Sequence, residues 1–339
     1  MTLNKSIALI AALFTVFWAG ALSAQTLKIA TIAPEGSSWM KDMRAGAKVI
    51  EQHTEGRVKF KFYGGGVQGN DKQVQRKMRT GQLHGGAFTS GAMNKFQSDA
   101  DLFSLPLSFD SIEEARYVRG ELEAELRQRL EDAGYVNFGF AAAGFAYMMS
   151  NKPMKTLSDL NGQKVWIPEG DPAGFAALRA LGVAPVVMPL TDVMTGLQTD
   201  LLDSVTVPPV GAVVLQWHTR LKYITDVPVA YVYASLLIDA KAFSRLTPED
   251  QQVVREVMEG IYRKFDQNGV KENRDALQAL MENGLQMVTP DRSEVVEWRE
   301  IVSDSHRRLA AEGTFDPELL ERMQTLITDY RNGRIAASQ

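Results

Sequence analysis

From residue 27 onward the chain alternates short segments of β pattern with longer segments of helical spacing, and that alternation restricts it to the α/β class. Residues 27–31 and 58–62 switch between apolar and polar side chains with period two, as half-buried strands do. Between them Met40, Met43, Ala47 and Ile50 recur at helical spacing. Ala115, Val118, Leu122, Leu126 and Leu130 mark the inner face of a helix over residues 112–133. Val254, Val257, Ile261 and Phe265 do the same for a long helix that Thr247-Pro248-Glu249-Asp250 opens. Residues 137–149 carry no charge and do not alternate, which is the pattern of a strand buried on both faces. Further strands are expected at 85–88, 164–168 and 185–189. Asp171-Pro172 starts a helix with a capping carboxylate before a proline, and Asp316-Pro317 begins the last helix, which Asn332-Gly333 should end. Parallel or mixed sheets with helices on both faces follow from this order.

The chain has 339 residues, enough for two lobes, and no low-complexity linker separates them. The lobes are therefore expected to be joined by crossing strands or by the long helix after Thr247. Residues 1–24 have the layout of a secretory leader: Lys5, an uncharged apolar run over 7–21, then Leu22-Ser23-Ala24 as a cleavage junction. The run is shorter than the roughly 20 residues a membrane span needs, so cleavage after Ala24 and a periplasmic protein are expected. Cysteine is absent, which removes both disulfides and a lipid-anchored junction, and a domain of this size buries enough core to do without either. The net charge of −4 and the lack of a basic cluster argue against a nucleic-acid partner. A monomer is expected.

Several motifs lead nowhere chemically. Gly64, Gly66 and Gly69 spell a dinucleotide fingerprint between a strand and a helix, but the acidic residue expected about 20 positions on is missing, so a glycine turn is the reading and no cofactor is expected. His53, His84, His218 and His306 fall in no metal pattern. There is no nucleophile elbow and no paired acid and base, so neither a catalytic residue nor an enzyme is expected. Aromatic side chains are more informative. Trp39, Tyr147, Trp166 and Trp217 sit at element ends or on strand-like segments, where large rings line clefts or fill cores.

Gly69-Asn70-Asp71, 79–84 (Arg-Thr-Gly-Gln-Leu-His), 103–109 (Phe-Ser-Leu-Pro-Leu-Ser-Phe), Ser150-Asn151-Lys152-Pro153, 157–165 and 180–185 form an ordered series. In order and spacing it resembles the solute-binding subunits of tripartite ATP-independent periplasmic (TRAP) transporters, the DctP-like family, over nearly the whole chain beyond the leader. The resemblance implies a two-lobed α/β fold that closes on a small solute and hands it to TRAP membrane subunits without chemistry. It implies lobes of 25–148 plus about 236–275, and 149–235 plus about 276–339.

The chain departs from that pattern where the family holds a carboxylate. Trp166 stands where an arginine is usual, Ala146 near where a second arginine occurs, and Thr206-Val207-Pro208 where polar residues are common. A carboxylate buried without its cation is costly, so the expected solute has apolar or aromatic character and is not a C4-dicarboxylate. The expected ligand-binding residues are Trp166 and Tyr147, with Trp39, Phe88, Phe145 and Val207 as further walls and Glu169 as a hydrogen-bond acceptor. Asp171 has the same capacity, although a helix cap explains it better. The alternatives are a conventional organic-acid binder of the same transporter type and a sensory module that presents its closed form to a receptor.

Overall fold

A computed structural model describes residues 24–337, so the leader, apart from Ala24, lies outside the described residues. Strand β1 (Gln25–Ala30) pairs in parallel with β2 (Val58–Tyr63) across helix α1 (Ser38–His53). After α2 (Asp71–Arg79), strand β3 (Gly85–Thr89) adds to the other edge of β1, also in parallel. The glycine loop between β2 and α2 is a turn: Gly65 and Gly66 adopt positive φ and donate their backbone N–H groups to Ala33 and Thr31. Asn70 caps α2 through a capping box with Gln73. Next come α3 (Ser90–Met93), a 3-10 helix (Ser98–Ser104), α4 (Ile112–Asp132), β4 (Tyr135–Val136) and β5 (Ala141–Ser150).

The second half runs β6 (Trp166–Pro168), α5 (Pro172–Ala180), β7 (Val186–Met188), α6 (Val193–Gln198), β8 (Ser204–Val207) and α7 (Pro209–Val214). It continues with β9 (Tyr223–Thr225), β10 (Ala230–Asp239), α8 (Ala240–Phe243), α9 (Pro248–Glu282), β11 (Gln286–Val288), α10 (Arg292–Ala311) and α11 (Pro317–Ala337). The main sheet has the order β11-β9-β5-β10-β3-β1-β2, with β4 on β10 and β8 on β5, while β6 and β7 form a separate pair. Among the described residues, no helix is long and apolar enough to cross a membrane.

The uncharged run becomes the strand that joins the lobes. Residues 141–146 of β5 pair with β10, and from Tyr147 onward the strand pairs with β8 and β9 instead. It starts at Ala141 rather than 137 because Asn137 turns aside, accepting from Arg127 Nε at 2.9 Å and donating to the Arg127 carbonyl at 3.1 Å. Gly144 has φ +90, and a Cβ there would lie 2.5 Å from Asn273 Nδ2, so this position requires glycine.

Helix α9 is the second connector. Val254, Met258 and Tyr262 pack with α1 in the first-lobe core, while Leu277 and Leu280 enter the core of the second. At its middle a Cβ on Gly269 would come 2.3 Å from the Ala142 carbonyl, so helix backbone lies directly on β5. Arg119 of α4 secures this crossing. Its guanidinium donates to Glu123 Oε2 (2.6 Å), Asp266 Oδ1 (2.7 Å), Tyr231 OH (2.9 Å) and the Phe140 carbonyl (2.9 Å).

The expectation that residues up to 339 belong with the second lobe fails for α11. Leu319, Leu320 and Met323 share an apolar layer with Val118, Leu122 and Leu126 of α4 in the first lobe. Arg129 meets Asp316 at 2.7 Å and Arg322 meets Glu125 at 2.6 Å across the same contact. The helix also continues through Asn332-Gly333, which the expected stop had ended, to Ala337.

Candidate ligand cavity

The three segments in which this chain departs from the arginine-bearing pattern meet in one place. Ala146 on β5, Trp166 on β6, Thr206 and Val207 on β8, and Pro208 just after it all line a cavity of about 290 Å³ between the lobes. That volume is close to the lower end of ordinary small-ligand sites, about 300–1,000 Å³. The first lobe contributes Thr89, Ser90, Asp101 and Ser104, and the second adds Asp171 with the apolar face of α5 at Ala173, Ala177 and Leu178. No arginine, lysine or histidine is among the lining residues.

Trp166 is one of three tryptophans in the lining, with Trp217 and Trp298. It begins β6, whose parallel pairing with β7 sets Trp166 opposite Val186. Its indole Nε1 donates to the Met188 carbonyl at 3.0 Å, and its ring meets Trp217 edge-on at 5.3 Å between centroids. Both indoles are buried, so Trp166 is held in one orientation by a hydrogen bond on one edge and an aromatic contact on the other.

Most of the few polar side chains are already occupied. Ser104 Oγ donates to the Tyr231 carbonyl at 2.7 Å and pairs with the Ser90 hydroxyl at 2.6 Å, and Thr225 Oγ1 donates to the Met154 carbonyl at 3.2 Å. Asp171 caps α5, accepting from Gly174 N–H at 2.7 Å. Asp101 accepts from Asn94 Nδ2 at 3.1 Å through Oδ2, but its Oδ1 has no hydrogen-bond partner. Burial and the nearby Asp171 carboxylate push the Asp101 carboxyl well above the usual carboxylate range. The same Asn94 amide donates to the Gly170 carbonyl at 2.5 Å and so ties the first lobe to the loop that carries Asp171. Farther along the cleft, burial and then Glu169 raise the Asp71 carboxyl to about 6.

Of the seven expected ligand residues, Trp166 and Val207 line the cavity and the other five do not. Strand alternation accounts for three of these. Ala146 and Met148 face the cavity, so Phe145 and Tyr147 point away, and Phe145 packs edge-on against Tyr231 at 5.6 Å. Thr89 faces the cavity, and its neighbour Phe88 packs against Phe96 at 4.7 Å. Trp39 stacks on Phe265 of α9 at 6.0 Å, as part of the α1–α9 core. Glu169 is exposed at the cleft edge, two residues before the carboxylate that does line the cavity. Sequence reasoning missed Asp101, because Asp99-Ala100-Asp101 reads as a solvated acidic loop. The signal available was the apolar Leu102-Phe103-Ser104-Leu105 run behind it, which anchors both acids in buried positions.

A cavity closed between two α/β lobes that share crossing strands and a spanning helix defines a small-molecule binding protein. Residues 29–312 match the family model "Bacterial extracellular solute-binding protein, family 7" (DctP), and the chain belongs to that family. It is 24% identical to the C4-dicarboxylate-binding periplasmic protein DctP of Rhodobacter capsulatus over 272 residues, covering 78% of this chain and 80% of that one. It is 26% identical to the uncharacterized protein YiiZ of Salmonella typhimurium over 208 residues, covering 60% of this chain and 63% of that protein's length. The fold is that of a TRAP periplasmic solute binding protein from Haemophilus influenzae with bound L-gulonate, at a TM-score of 0.81 and 17% identity, covering 89% of this chain and 99% of that one. The family consists of solute-binding proteins, not enzymes.

Proposed function

We propose that this chain is the periplasmic capture subunit of a TRAP-type transporter. It takes up a small solute with apolar or aromatic surface and passes it to the membrane subunits. The leader is removed after Ala24, and the mature protein works as a monomer. The first lobe comprises residues 25–148, about 236–275 and the last helix, and the second comprises 149–235 with the intervening segment. The observation that carries the solute class is the cavity lining: Trp166 and other apolar side chains dominate it, and no arginine, lysine or histidine stands there to meet a carboxylate. The relatives named for C4-dicarboxylate or crystallised with L-gulonate bind acids, whereas burying an unpaired carboxylate in this lining would cost several kcal/mol. Burying apolar ligand surface here contributes about 25 cal/mol per Å².

Native mass spectrometry of the protein purified from periplasm tests this reading. The expected adduct is a small solute bearing a ring or an alkyl body and lacking a carboxylate. Recovery of succinate, malate or a sugar acid as the retained ligand would overturn it. Small-angle scattering with the recovered solute should show compaction as the lobes close.

A further inference from the structure

We propose that Asp101 and Asp171 form a two-lobe grip for a ligand ammonium group, so that the solute is an organic amine with an apolar body. This rests on the reading of the cavity as the solute site and narrows it to one ligand chemistry.

Three observations converge. Asp101 is 2% exposed, lines the cavity and keeps Oδ1 without a partner. An unpaired acceptor at that depth is costly unless a donor arrives from the cavity side. Asp171 lines the same cavity from the opposite lobe, and Asn94 joins the two by donating to Asp101 Oδ2 at 3.1 Å and to the Gly170 carbonyl at 2.5 Å. A Cβ on Gly91 of the first lobe would lie 3.7 Å from the Asp171 Cβ, so the lobes already meet at this carboxylate.

The protein supplies no counter-charge from within the cavity. Asp99, two residues earlier, has Arg129 at 2.8 Å, whereas among the described residues Asp101 and Asp171 make no ion pair. Lys95 packs on Gly170 from the outer side of the turn and lies outside the cavity lining. The half-buried Asp171 carboxylate lies close enough to help hold the Asp101 carboxyl up, and two neighbouring carboxyls repel when both are ionised. A ligand ammonium placed between them relieves that repulsion, satisfies Oδ1 and bridges the lobes at once. The rest of the lining, with Trp166, Trp217, Leu178 and Val207, then packs the body of the amine.

The test uses calorimetry on the mature protein, freed of retained ligand, with shape-matched probes. A panel of aryl- and cycloalkyl-amines led by 2-phenylethylamine is compared with the neutral 2-phenylethanol and the anionic 3-phenylpropionate. At least one amine is expected to bind tenfold or more tightly than its matching alcohol, the scale of a charge-assisted hydrogen bond, roughly tenfold to a hundredfold. Asp101→Asn should erase that preference, read as the amine-to-alcohol affinity ratio, and a cooperative melting transition confirms that the variant is folded. Asp171→Asn keeps a good helix cap, so it checks the second carboxyl without unfolding α5. If alcohols bind as well as amines, if no amine binds, or if Asp101→Asn leaves the amine preference intact, the grip is wrong and the apolar cavity still stands. Tightest binding by the carboxylate would overturn both.

Discussion

Replacing Trp166 with alanine is expected to remove about 3–5 kcal/mol of folding stability and to weaken capture of the retained solute by a further ~1–3 kcal/mol. The first loss follows from its place in the second-lobe core. The indole is 4% exposed, is packed edge-on against Trp217, and holds the Met188 carbonyl with its N–H. The second loss follows from its face on the cavity. Urea unfolding and calorimetry on the same variant separate the two effects. Trp166→Arg should be still more damaging to an apolar or amine ligand, because it removes the apolar indole face and adds a cation that competes with a ligand ammonium. The same variant should gain measurable affinity for carboxylates. If Trp166→Ala binds and unfolds like the unmodified protein, the role assigned to this wall is wrong.

Arg119→Ala should destabilise the first lobe by about 3–5 kcal/mol, the range for breaking a buried ion pair by removing one partner. The guanidinium is 8% exposed, and its loss strands Asp266, Glu123, the Tyr231 hydroxyl and the Phe140 carbonyl together. Asp266 then keeps only the Ala142 N–H, at 3.1 Å, and the contact between α9 and the crossing strand loosens. Arg119→Met retains much of the packing and should still lose most of the stability if the network matters. Asp266→Ala should cost less in the Arg119→Ala background than alone, by roughly 0.5–3 kcal/mol of coupling. Additive effects would show that the two residues act independently.

The features legible in the sequence are those that depend on local pattern. The uncharged run predicted a doubly buried strand, and β5 is one, because a segment without charge has no solvated face to present. Thr247-Pro248 predicted a long helix, and α9 spans 35 residues. The last helix was misplaced because its contacts to α4 join positions about 200 residues apart, and no local spacing carries that information. At the cavity, the positions where expected arginines are replaced did converge. The aromatic residues beside them were assigned by type, without the test that period two supplies: once Ala146 faces the cavity, Phe145 and Tyr147 cannot. Asp101 was hidden for the opposite reason, since an acidic residue near another acidic residue reads as surface until burial is known.

The central proposal is that the cavity of this chain does not hold a carboxylate. Titrating succinate, malate and fumarate into the mature protein, after any retained solute has been removed by unfolding and refolding, tests it most directly. The lining of Trp166, Ala146 and Val207 with two aspartates predicts no binding heat at ligand concentrations up to about 1 mM, equivalent to less than about 4 kcal/mol of affinity. Saturable binding of any of the three at micromolar Kd would contradict the account.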